Sequence, residues 1–203
     1  MKLYFSQTSP FARKIRVALR ETDLIAQTTE VALSAWDDPE DLLAANPLAQ
    51  VPALITADGQ SICDSPLILE YIDTMHHGKP LFPGDTLARL DMRRFMAIAD
   101  GISEAVFCIA VERRRPAERQ HEPWVARKRQ AAVRSLEYLA RTPGPLDSGD
   151  RDGVSGYAIT LACALAYCDL RLADHDWRSA HPGLADWFER FAARPSMAET
   201  QYV

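Results

Sequence analysis

Short apolar alternations and helix-spaced stripes trade places over roughly the first 80 residues, and beyond them only the stripes remain. Residues 2–5 predict a strand. Ser9-Pro10 then opens a face of Phe11, Ile15, Ala18 and Leu19. A second strand is expected over 27–33, with Thr28, Thr29 and Val31, and at most a short helix over 39–45, closed by Asn46-Pro47. Residues 51–56 and 61–63 flank Ala57-Asp58-Gly59-Gln60 and read as a hairpin. Ser65-Pro66 starts a further helix through Leu67, Ile68, Tyr71, Ile72 and Met75. The order βαβ-α-ββα is that of a thioredoxin-like α/β domain, placed over residues 1–78.

A Pro/Gly-rich stretch around Gly78, Pro80, Pro83 and Gly84 supplies a linker, 79–85. The remainder, 86–203, predicts an all-α helical bundle domain. Leu87, Leu90, Phe95, Ile98, Ile102, Val106 and Ile109 run at 3–4 spacing in a helix expected to reach Arg115, before Pro116. Val125, Ala132, Val133, Leu136 and Leu139 mark another, and a loop is expected over 143–153. Residues 155–172 are apolar nearly all round, which places them mid-bundle. The last helix, 182–193, carries Leu184, Trp187, Phe188 and Phe191.

Composition narrows the functional classes. With 203 residues, 47% hydrophobic and 25% charged, the chain can bury a core, and its net charge of -5 argues against nucleic acid as a partner. The basic runs Arg113-Arg114-Arg115 and Arg127-Lys128-Arg129 sit in helical patterns, where solvated faces and helix-end charge explain them. The stretch 157–168 carries no charge but is too short for the ~18–20 residues of a bilayer span, and the N-terminus lacks a signal-peptide pattern. No membrane association and a cytoplasmic location are therefore expected. Four cysteines without metal-finger spacing, and a His76-His77 pair whose side chains would diverge on a helix, predict reduced thiols and no metal.

Three short segments carry the chemistry. In a thioredoxin-like layout the turn after the first strand is the reactive corner, and here it reads Thr8-Ser9-Pro10-Phe11. Ser9-Pro10 is an ordinary helix start; a serine there can also donate to a thiolate, aided by the free N–H groups of the first turn. Without a cysteine at this corner, direct thiol–disulfide exchange is excluded. The second segment is Gln50-Val51-Pro52-Ala53. A proline heading a strand marks either a bulged turn or an edge at which the Val51 backbone is left to pair with an extended peptide. In the third, Cys63-Asp64-Ser65-Pro66, Ser65 reads as a helix cap, and the same N–H groups suit a carboxylate. Asp64 could accept from an ammonium. Together these suit one small acidic thiol peptide.

The sequence resembles the soluble glutathione S-transferases, of the bacterial Ser-type kind. The likeness is carried by Ser9-Pro10-Phe11 with Lys14-Ile15-Arg16-Val17, by Asn46-Pro47-Leu48 with Gln50-Val51-Pro52-Ala53-Leu54, and by Asp64-Ser65-Pro66 with Glu70-Tyr71-Ile72. Ala99-Asp100-Gly101, His181-Pro182-Gly183-Leu184 and Arg194-Pro195-Ser196 extend it through the second half. The resemblance implies glutathione as co-substrate, a homodimer and a site between two domains. It implies that Ser9 stabilises the thiolate, that Val51, before a cis Pro52, pairs with the cysteinyl segment, and that Asp64 and Ser65 hold the γ-glutamyl group. Gln50 would add a side-chain bond, and Asp100 would reach the glutamyl amine across the dimer. A pocket for a hydrophobic electrophile would involve Phe11, Phe107, Val111 and Arg115.

The expected activity is attack of activated glutathione on that electrophile. Glutathione-dependent peroxide reduction or isomerisation, and a non-catalytic binding or regulatory module of the same fold, stand as alternatives. Two features depart from the family. Ser155-Gly156-Tyr157-Ala158 keeps the hydroxyl of a capping box and lacks its acid, a cost of about 1 kcal/mol. Residues 34–38 offer no Lys or Arg for the glycyl carboxylate, and Trp36 is the large side chain there.

Overall fold

The computed structural model describes residues 1–144, 154–172 and 174–202. They form two compact units: 1–82 with 154–159 and 194–202, and 83–144 with 160–172 and 174–193. The loop expected over 143–153 lies outside the described residues from 145 onward.

In the first unit, β1 (Lys2–Phe5), α1 (Pro10–Glu21), β2 (Thr29–Ala32), α2 (Glu40–Ala45), β3 (Ala53–Ile55), β4 (Ser61–Cys63) and α3 (Ser65–Met75) follow the predicted order. The sheet order is β2-β1-β3-β4, with β1–β2 parallel and the other two pairs antiparallel. This is the thioredoxin-like layout. Alternation on β1 sends Tyr4 to one face, where it packs with Leu42, Ala45 and Ala53. Leu3 and Phe5 are buried on the other, where the Arg16 guanidinium of α1 lies 4.2 Å from the Phe5 ring centroid.

The second strand is shorter than its sequence pattern. Leu24–Gln27 forms a single 3-10 turn, closed by the Thr28 N–H donating to Ile25 O at 3.0 Å and by Thr28 Oγ1 donating to Leu24 O at 2.8 Å. Groups bonded locally are withdrawn from the ladder. The hairpin turn is as expected: Gly59 has φ +86° and the Thr56 N–H donates to Gln60 O at 2.9 Å. Helix α3 stops at Met75 and His76 is extended, so the His76-His77 pair is not helical. His76 Nδ1 instead accepts the Gly78 N–H at 3.1 Å, and its Nε2 lies 3.5 Å from Asp73.

The second unit is helical. Its elements are α4 (Thr86–Glu112), α5 (Glu122–Arg141), most of α6 (Gly156–Arg171), the short α7 (Trp177–Ala180) and α8 (Pro182–Ala192). The sequence pattern did not distinguish α7 or α9 (Pro195–Ala198). Helix α4 ends at Glu112, three residues before the expected stop. Arg114 and Arg115 donate their N–H groups to Val111 O and Glu112 O in tight turns, because Pro116 disfavours helical φ/ψ at the residue ahead of it. The basic runs are answered by acids: Arg113 meets Glu122, Arg115 meets Glu112 at 3.2 Å, Lys128 meets Glu104 at 3.3 Å and Arg129 meets Asp174. At α6, Ser155 Oγ accepts the Ala158 N–H at 3.1 Å and Gly156 donates to Leu81 O at 2.9 Å. A Cβ at Gly156 would stand 3.1 Å from Phe82 Cζ and 3.3 Å from Leu69 Cδ2, so the close approach of this backbone asks for glycine. Among the described residues, no helix is long and apolar enough to cross a membrane.

Candidate functional site

The strand register gathers the three candidate segments at one end of the sheet. Tyr4 stands opposite Ala53, and Ala53 opposite Cys63. The chain leaving β1 toward Ser9, the chain entering β3 through Gln50, Val51 and Pro52, and the chain leaving β4 through Asp64 and Ser65 therefore meet there. Strand β2 runs parallel to β1, and the Leu33 N–H donates to Phe5 O at 2.9 Å, so Trp36 follows from the same end. Helices α1 and α3 both begin here, presenting unpaired N–H groups and the positive ends of their dipoles.

Ser9 is half-buried at the N-cap of α1 with φ −81° and ψ 120°. Its Oγ accepts the Ala12 N–H at 3.2 Å, and its carbonyl accepts the Arg13 N–H at 2.9 Å. The capping bond uses a lone pair of the hydroxyl. The hydroxyl proton has no acceptor among the described residues, so capping and donation outward coexist in one side chain. Phe11 follows, half-buried, in the first turn.

The Val51–Pro52 peptide is cis, and Pro52 is buried. Among the described residues neither the N–H nor the C=O of Val51 is hydrogen-bonded, since β3 begins only at Ala53. Its approach is set by Asn46, 2% exposed, whose Nδ2 donates to Gln50 O at 2.8 Å and whose Oδ1 accepts the Leu48 N–H at 3.0 Å. Ala49 takes φ 53° to complete the turn. The Gln50 side chain is exposed. In the sequence Asn46 stands as a helix stop and as part of the family likeness, and its role in bonding the turn was missed. An Asn just after a helix and before a turn is the signal, because its amide can bond backbone in both directions.

Ser65 is 3% exposed, and among the described residues its hydroxyl has no partner. It is the first residue of α3, not the cap. The cap position is Asp64, at φ 75° and ψ 118°, and its carboxylate makes no capping bond. The carboxylate is exposed. A non-glycine residue at such an angle carries strain of about 1–3 kcal/mol, and strain of this kind gathers at ligand sites.

Asp100, Phe107, Val111 and Arg115 belong to the second unit. Asp100, Phe107 and Val111 recur at helix spacing along one stripe of α4, with Phe107 39% exposed. Arg115 lies beyond the helix end and pairs with Glu112. A cavity of about 530 Å³ in this unit lies between the end of α5 and the start of α8, against Leu139, Leu184 and Trp187, and none of the predicted site residues lines it. Among the described residues, no cluster of three His, Cys, Asp or Glu could hold a metal ion.

The surroundings of α1 are strongly electrostatic. Arg16 donates to Glu30 at 2.8 Å, and Arg20 donates to both Glu30 oxygens at 3.1 and 3.0 Å. Burial pushes the Glu30 carboxyl up, but these guanidinium bonds outweigh it and hold the pKa below the ordinary carboxylate value. Glu21, at the other end of α1, behaves alike: burial opposes, while Arg194 and Ser196 hold it down.

Comparison with known proteins gives the family and the fold. The family model for the glutathione S-transferase N-terminal domain matches residues 8–75, and that for the C-terminal domain matches 122–190. The GST-like protein YibF of Escherichia coli K12, described as uncharacterized, is 35% identical over 99% of this chain and 98% of its own. A glutathione transferase family member from Pseudomonas fluorescens Pf-5, solved with bound glutathione, superposes with a TM-score of 0.92 at 36% identity, covering 100% of this chain and 98% of that one. The same family member with bound S-(propanoic acid)-glutathione gives 0.88 at 35%, with full coverage of both chains. On its sequence over nearly its whole length and on its fold, this chain belongs to the glutathione S-transferase family.

Proposed function

We propose that the protein binds glutathione at the sheet end described above and activates its thiol for attack on a hydrophobic electrophile. The observation that carries this reading is the Ser9 hydroxyl, which accepts from Ala12 and keeps its proton for a sulfur. The Val51 backbone, unbonded among the described residues, offers one N–H and one C=O to an extended peptide, and the Ser65 hydroxyl, likewise without a partner among them and at a helix start, suits the γ-glutamyl carboxylate. Asp64 is set to accept from the glutamyl amine, with Gln50 adding a side-chain bond. The glutathione seen in the Pseudomonas relative supports this choice of ligand, and its S-(propanoic acid) conjugate supports chemistry at sulfur.

The chemistry demanded of Ser9 is modest. A free thiol titrates near 8.5, and lowering that by about two pH units stabilises the thiolate by about 2.7 kcal/mol. One hydroxyl donor and the N-terminus of α1 can supply this. Ser9 lacks the strength to act as a base, so it orients and stabilises without deprotonating the thiol. Phe11, Phe107, Val111 and Arg115 remain the proposed electrophile lining. A cytoplasmic homodimer, with Asp100 serving the partner's ligand, completes the reading, and a single-chain species in sedimentation would contradict the dimer.

The test is retention on immobilised glutathione, paired with a conjugation assay against a panel of aryl halides and activated alkenes. Retention with conjugation is expected. Retention with peroxide reduction alone, or with no turnover, would replace the proposed reaction by one of its alternatives, and loss of retention would remove the glutathione site.

A further inference from the structure

The C-terminal segment grips α1 at both ends. At the far end, Arg194 donates to Glu21 at 2.8 and 2.7 Å, Ser196 Oγ donates to the same carboxylate, and Arg20 Nε donates to Glu199 at 3.0 Å. At the near end the grip is made by Arg13. Arg13 is 6% exposed, its Nη2 donates to Met197 O at 3.1 Å, its Nε reaches Thr200 Oγ1 at 3.5 Å, and its guanidinium lies 4.4 Å from the Tyr202 ring centroid. Thr200 is fully buried and donates to Ser196 O at 2.7 Å, which ties the two anchors together.

We infer that residues 194–202 form a clamp that positions the Ser9 hydroxyl, with Arg13 as the positioning residue through which it acts. The path is short and continuous. The Arg13 N–H closes the first turn of α1 onto Ser9 O at 2.9 Å, and the next amide back, Ala12, holds Ser9 Oγ. A helix start is where fraying begins, because its first N–H groups lack intrahelical acceptors. Pro10 removes one donor from this turn. A buried guanidinium with a carbonyl, a hydroxyl and a ring around it has one allowed placement, so it fixes the backbone that bears it. Loosening it lets the Ser9 hydroxyl wander from the sulfur while Val51, Asp64 and Ser65 stay in place. Arg13 is thereby occupied with the C-terminal segment and does not itself serve the sulfur.

The inference rests on the proposed role of Ser9, and two readouts keep the ideas apart. In the ligand-free protein, Arg13→Met and Tyr202→Ala should speed amide hydrogen exchange at Ala12 and Arg13 about tenfold, while Tyr202→Phe leaves it near wild type. With glutathione bound, the same two variants should lower the thiolate fraction at neutral pH about three- to tenfold, read by thiolate absorbance against pH, with glutathione affinity within twofold. Ser9→Ala is the control for the underlying reading. If Ser9→Ala shifts the thiol titration and neither clamp variant does, the clamp is overturned. If Ser9→Ala shifts nothing, the role of Ser9 fails, and exchange then decides the clamp alone: faster amides uphold it and unchanged amides overturn it. Should Arg13→Met not fold, Tyr202→Ala carries both readouts.

Discussion

The Ser9 hydroxyl accepts the Ala12 N–H at 3.2 Å, which makes Ser9 the cap of α1, while its own proton has no acceptor among the described residues. The two duties separate on mutation. Ser9→Ala should cost about 1 kcal/mol of stability through the lost cap, measured by urea unfolding without ligand. It should also return the thiol pKa of bound glutathione toward the free value and lower turnover at neutral pH, with affinity little changed. Coincident thiolate titrations for wild type and Ser9→Ala would mean that the sulfur is activated elsewhere.

Ser65 should matter to binding more than to chemistry. It is buried, its hydroxyl has no partner among the described residues, and it opens α3. Ser65→Ala should weaken glutathione binding by about 1–3 kcal/mol, the worth of a charge-assisted hydrogen bond. Calorimetric titration with glutathione reads this directly, and an unchanged affinity would remove Ser65 from the site.

Acid should loosen α1 from its partners. Glu21 and Glu30 titrate below their ordinary value of 4.5, because their arginine bonds outweigh the opposing effect of burial. A depressed folded-state pKa gives stability that is complete above the unfolded value and is lost as pH falls through the folded one. The contribution should therefore be intact above about pH 5.5 and fade below about pH 4.5. Glu21→Gln should cost about 1–3 kcal/mol at neutral pH and much less near pH 3. Urea unfolding at both pH values checks it, and equal losses at the two would refute the linkage.

The thiols should divide by burial. Burial, with Asp169 adding to it, pushes the Cys168 thiol up to about 12, and Cys163 is also buried, whereas Cys63 and Cys108 are half-buried. Alkylation of the native protein near pH 8, followed by mass spectrometry, should label Cys63 and Cys108 and spare the other two until denaturant is added. Rapid native labelling of Cys168 would contradict its placement.

Much of this protein is legible in local sequence, because the signals concerned act over one or two turns of chain. Ser9-Pro10, Ser65-Pro66 and Ser155-Gly156 announce helix starts, Asp58-Gly59 announces the hairpin turn, the 3–4 stripes announce α4 and α5, and an apolar run on all sides announces α6. The positions of Ser9, Val51, Asp64 and Ser65 follow from those signals and from the family likeness they carry. Other features were not legible, since each depends on partners distant in sequence or on angles that residue identity does not fix. Asp64, read as following the strand ahead of a Ser65 cap, is itself the cap, at a positive φ that favours glycine. Asn46 binds forward to Gln50, which no apolar pattern announces. Arg13 and Arg16 are both buried, which their residue type does not announce, because Met197, Thr200 and Tyr202 reach one and Glu30 reaches the other. The chain's own letters determined most of the elements, α7 and α9 excepted, and put forward the candidate site residues. Only the tertiary structure decided that Tyr4 faces Ala53 and Ala53 faces Cys63, and that register, set by burial on both faces of the sheet, is what brings the three segments to one end.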